Sequence, residues 1–142
     1  MDAETPPDRA PELRTIAMPA DTNASGDIFG GWLLAQMDLA GGSYAIQVAC
    51  GRVATVGIEA MSFHRPVLVG DLVSCYCGIH RVGRTSLAVN VETWVRRRAR
   101  TDAEGPTADL KVTEGVFTFV ALNEDGTKRG LPEGIAAEAA AP

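Results

Sequence analysis

The chain has 142 residues, enough for one domain with a real core, and its 46% hydrophobic and 22% charged content is that of an ordinary globular protein. A net charge of -5 argues against a nucleic-acid surface, which needs a clustered basic face, but leaves room for a few local arginines to bind phosphate. No run of ~20 apolar residues is present, so no membrane-spanning helix is expected.

The first segment, residues 1–12 (MDAETPPDRAPE), is acidic and proline-rich and reads as a disordered lead-in without the apolar stretch of a secretory leader. Three cysteines, Cys50, Cys75 and Cys77, form no disulfide framework, and with His64 and His80 they make no metal-ligand spacing. The expectation is therefore small buried cysteines, no metal, and a reducing cytoplasm.

Leu13 to Met18 is a short apolar run that predicts an edge strand ending at Pro19. Ala20 to Gly26 (ADTNASG) is turn chemistry. From Trp32 to about Cys50 the composition is helical, interrupted only by Gly41-Gly42, where another backbone could approach closely. Trp32, Leu33, Leu34, Met37, Leu39, Tyr44, Ile46 and Val48 cover nearly every direction around this helix, which predicts burial on all sides. Four strand-like runs follow, Val53 to Phe63, Asp71 to Arg81, Thr85 to Arg97 and Ala108 to Leu122, with a loop from Arg98 to Pro106. The domain is expected to occupy residues 13–131, with a flexible tail over 132–142. One antiparallel sheet on one long helix gives an α+β domain. A helix this apolar exceeds what its own sheet can cover, so a homo-oligomer is expected.

Asp38 is the only charge in that helix. A carboxylate in an apolar helix is either satisfied locally or serves as a functional acid or base. Asp27 lies just before the helix, where the dipole favours a carboxylate; it is either a simple N-cap or a second functional acid. Eleven residues at helical rise separate the two by ~16 Å, so one chain cannot bring them to one site, whereas two antiparallel copies can. Gly30 and Gly31 open the helix with approachable N–H groups that could polarise a carbonyl oxygen, or simply form a tight turn. The arginines Arg81, Arg84, Arg96, Arg97 and Arg98 offer positions for a nucleotide phosphate or a solvated face. No GxSxG, GxGxxG or GxxxxGK[ST] motif occurs.

The run ELRTIAMPADTNASGDIFGGWLLAQMD, ending at Asp38, closely resembles short-chain acyl-CoA thioesterases of the YciA type, hotdog-fold acyl-CoA hydrolases. The segments Gly51 to Asp71 (GRVATVGIEAMSFHRPVLVGD) and Val82 to Val95 (VGRTSLAVNVETWV) match as well. The resemblance implies a hotdog fold, an antiparallel sheet wrapped around one central helix. Dimers would be the catalytic units, assembled as a trimer of dimers. It implies hydrolysis of short- to medium-chain acyl-CoA, with Asp38 as general base or nucleophile and Asp27 acting from the partner subunit. Gly30 and Gly31 would polarise the thioester, and Arg84, Thr85, Ser86 and His64 would contact CoA. CoA would be part of the substrate, and no separate cofactor is implied. The sequence departs from the family pattern at Gly57, where a basic residue is usual, at Ala60, where glycine is usual, and at His64, where an apolar residue is common. The competing readings are a hotdog dehydratase of hydroxyacyl thioesters, which would want a histidine at the start of the helix, and a non-catalytic acyl-CoA-binding module.

Overall fold

The computed structural model describes residues 5–98 and 108–135. Strand β1 covers Leu13–Ile16 and leads through a 3-10 turn at Pro19–Asp21 to helix α1, Gly30–Ala49. Strands β2 (Val53–Phe63), β3 (Leu72–Val82), β4 (Ser86–Arg96) and β5 (Asp109–Ala121) follow. All pairings are antiparallel, in the order β1-β3-β4-β5-β2. The helix lies on one face of this sheet and touches all five strands. This is the hotdog fold. Among the described residues no helix is long and apolar enough to cross a membrane.

Alternation along the strands explains which face the helix covers. Leu87, Val89, Val91, Phe117 and Phe119 are buried in one core with Leu33, Met37, Ala40 and Ala45 of α1. The glycine pair of α1 admits a side chain rather than a backbone: the Phe119 ring and Val91 crowd Gly41. The helix stops at Ala49 because Cys50 turns left-handed (φ 55, ψ 43). Arg129 Nη2 donates to the Ala49 carbonyl at 2.9 Å, placing a cation where helix carbonyls are left unpaired.

Two expectations are corrected. Cys50 is exposed, because the helix end throws it outward; only Cys75 and Cys77 are buried. Burial pushes the Cys75 thiol up to about 11 and the Cys77 thiol up to about 12. Residues 5–12 are not a free lead-in: the Glu12 N–H donates to the Cys75 carbonyl at 2.9 Å, and Arg9 Nη2 donates to the Cys77 carbonyl at 3.0 Å. As expected of a helix too apolar for its own sheet, Leu39 is 61% and Ile46 48% exposed within one chain. Of the expected tail, Ile135 is buried; residues 136–142, residues 1–4 and the loop beyond Arg98 lie outside the described residues.

Edge strand β2 is irregular. Its register with β5 shifts between Thr55 and Gly57 and again between Glu59 and Ser62. At the second shift Ala60 adopts φ 55, a left-handed conformation that costs an L-residue ~1–2 kcal/mol, and Met61 fills the space that Gly115 leaves open. Glycine in the resembling family thus suits the backbone at position 60 better than the alanine here. Ala60→Gly relieves this strain at some entropic cost and is expected to raise stability by ~1 kcal/mol, read as a higher urea midpoint at unchanged m-value.

Candidate active site

The turn before α1 is built by Asn23. Its Oδ1 accepts the N–H groups of Ser25 (2.9 Å) and Asp27 (3.1 Å), and its own N–H donates to the Asp27 carbonyl at 2.8 Å. Gly26 completes the turn at φ 84. The result presents Asp27 at the surface, three residues ahead of the first helical residue, Gly30. Asp27 is not the helix cap: Phe29 holds that position without a side-chain cap hydrogen bond. The N–H groups of Trp32 and Leu33 turn back to the Phe29 carbonyl at 3.1 and 3.5 Å. Those of Gly30 and Gly31 have no acceptor among the described residues, as expected of a first helical turn, and both glycines are exposed. Gly30, but not Gly31, lines a cavity of about 310 Å³, walled by Ile28, Phe29, Leu33, Phe63 and Val67, with His64 and Arg65 also lining it.

Asp38 lies eight residues further on, ~12 Å along the axis from Gly30, and lines a different cavity of about 460 Å³ with Leu39, Ile46, Val53 and Phe119. It is half-buried. Thr55 Oγ1 donates to Asp38 Oδ1 at 2.7 Å. No salt bridge reaches Asp38 among the described residues. The carboxylate is therefore oriented by one hydroxyl, open to a cavity, and not neutralised by a cation. Thr55 escaped the sequence reading because its partner is seventeen residues away on another element; the strand pattern marked it only as a β-former.

The expected CoA contacts are divided. Arg84, Thr85 and Ser86 form the β3–β4 turn, closed by the Gly83 N–H donating to the Ser86 carbonyl at 2.8 Å. The register Leu87↔Phe119↔Thr55 sets this turn at the Asp38 end of the sheet, two strands or ~10 Å from β2. None of the three lines the Asp38 cavity. His64 lies at the other end, lining the Gly30 cavity, with Nε2 3.6 Å from Glu114 Oε1. The Lys111 amine beside Glu114 holds that carboxyl below its ordinary range. One chain thus keeps Asp27, Gly30, Gly31 and His64 at one end of α1 and Asp38 with the Arg84 turn toward the other. Among the described residues no group of three or more His, Cys, Asp or Glu side chains gathers as metal ligands would.

The Thioesterase superfamily family model matches residues 25–101, more than half of the chain, spanning both ends of this site. The chain belongs to the thioesterase superfamily. Within it the chain groups with the YciA acyl-CoA thioester hydrolases: the Salmonella typhimurium protein of that name is 52% identical over 120 residues, 84% of this chain and 88% of the relative. Among solved structures, a hexameric broad-specificity acyl-coenzyme A thioesterase superposes with a TM-score of 0.82 at 43% identity, covering 95% of this chain and 91% of that one. The same enzyme has been solved as an aspartate-to-alanine mutant. A hexameric hotdog fold thioesterase of Campylobacter jejuni gives 0.85 at 38% identity, covering 92% and 96%.

A carboxylate aimed by a hydroxyl is chemically able to act as an acid, a base or a nucleophile. A hydrogen bond to a charged group is worth ~1.5–3 kcal/mol. Thr55→Val is expected to lower kcat by about tenfold or more, with Thr55→Ser recovering most of it. Thiol release measured on both variants, with circular dichroism to confirm the fold, checks this.

Proposed function

We propose that this chain is an acyl-CoA thioesterase that hydrolyses short- to medium-chain fatty acyl-CoA to the free acid and CoA in the cytoplasm, at sites each built by two subunits. The observation that carries the proposal is the Asp38 carboxylate, held by Thr55 at a cavity with Leu39, Ile46, Val53 and Phe119 in its wall and in no salt bridge among the described residues. A thioester there meets a base beside greasy walls suited to an acyl chain.

The N–H donors of Gly30 and Gly31 are too far along the same helix to serve Asp38 of their own chain. A second, antiparallel copy supplies them, together with its Asp27. The exposed apolar residues support such a partner: Leu39 and Ile46 on α1 and Val56 and Ile58 on β2 border the Asp38 region, and β2 is an edge strand whose open side is a template for pairing. The hexameric state of the structural relatives supports a trimer of such dimers.

In the mechanism, the thioester oxygen lies against the helix N-terminus, whose dipole and N–H groups stabilise the developing oxyanion. Asp38 either takes a proton from water as water attacks the carbonyl carbon, or attacks it directly. In both routes the C–S bond breaks, the thiolate leaves and takes up a proton, and one water is consumed. Asp27 of the partner orients the water or the thioester. Arg84, Thr85, Ser86 and His64 hold the CoA portion, and no separate cofactor takes part.

Asp38→Asn tests the assignment. It keeps the carboxylate's size and loses its charge, so turnover of hexanoyl-CoA is expected to fall at least ~100-fold while the assembly, followed by sedimentation, is unchanged. Full activity in this variant contradicts the proposal.

A further inference from the structure

The two glycines in the middle of α1 answer different needs. Gly41 is buried, and a Cβ built there would stand 3.1 Å from Phe119 Cζ and 3.3 Å from Val91 Cγ2. Helix–sheet packing accounts for it. Gly42 is half-buried, and a Cβ there would meet only Phe119 Cε1, at 3.7 Å, an ordinary contact. Glycine is a poor helix former, so nothing within the chain explains its presence at position 42.

Its position relative to the site does. Gly42 follows Asp38 by four residues, on the same helix face and ~6 Å further along the axis. It lines the same cavity of about 460 Å³, between Leu39, Ile46, Val53 and Phe119. Leu39, Ile46, Val53 and Phe119 give Gly42 an alkyl and aromatic surround, which suits an acyl chain better than the amides of a pantetheine arm. Ser43 and Gln47 also line the cavity and are exposed, as are Leu39 and Ile46 in the single chain.

We infer that Gly42 determines acyl-chain specificity: its missing side chain leaves the space through which the acyl group runs past Asp38. The inference rests on the thioesterase reading of the Asp38 site. The shortest acyl groups end before reaching Gly42, whereas longer chains must cross it. A side chain at position 42 therefore penalises long substrates selectively, by about fourfold for each methylene denied its buried place.

The test compares wild type with Gly42→Ala and Gly42→Val. It measures kcat/KM by thiol release on acetyl-, butyryl-, hexanoyl- and decanoyl-CoA, and assembly by sedimentation. The decanoyl-to-acetyl ratio is expected to fall about fourfold in the alanine variant and about tenfold or more in the valine variant, with assembly intact. Gly41→Ala is expected instead to lower the unfolding temperature. An unchanged ratio in intact Gly42 variants overturns the inference. So does loss of assembly in Gly42→Ala, which would assign the glycine to packing between chains. Failure of the underlying reading looks different: the wild type then releases thiol from none of the four substrates.

Discussion

Everything in this structure follows from one mismatch: the helix carries more apolar surface than a single five-stranded sheet can cover. The sheet takes Leu33, Met37, Ala40 and Ala45, and leaves Leu39 and Ile46 in the open. In the proposed assembly a second copy covers this area. The polar features of α1 sit on or beside that unsatisfied surface. Asp38, Gly42 and Ser43 share the cavity with Leu39 and Ile46, so whatever covers the apolar stripe also closes the pocket around the carboxylate.

The arrangement solves a distance problem. A helix N-terminus is a ready source of N–H donors, and a carboxylate two turns along is a ready base, yet in one helix they are separated by ~12 Å. In the proposed dimer, two copies running in opposite directions bring one's donors to the other's carboxylate without any change in either chain. Oligomerisation on this account completes the reaction centre, because neither end of α1 holds a full set of groups. The Thr55 hydroxyl orients Asp38 within the single chain.

Much of the fold was legible in the sequence because period and punctuation agree. The β2 run, Val53–Phe63, was expected at its observed ends, and the other strands differ by a residue or two. Asp38 was legible as the one charge in an apolar helix. What was not legible is tertiary or conformational. Thr55 is tied to Asp38 across two elements, a relation that no local pattern encodes. The left-handed Ala60 and the outward Cys50 depend on backbone angles that alanine and cysteine rarely advertise. The anchoring of residues 5–12 on β3 uses backbone carbonyls, which are invisible in composition. The division of Gly41 from Gly42 needed the position of one phenyl ring.

The most direct measurement mixes two variants expected, on the shared-site account, to be inactive alone. Asp27→Ala and Asp38→Asn chains are dissociated, combined in equal amounts and reassembled. If each site takes Asp27 from one chain and Asp38 from the other, hybrid dimers carry one intact site and one doubly altered site. Random pairing then restores about a quarter of wild-type activity. A mixture that stays as inactive as its two components, although hybrids form, would contradict a site shared between chains.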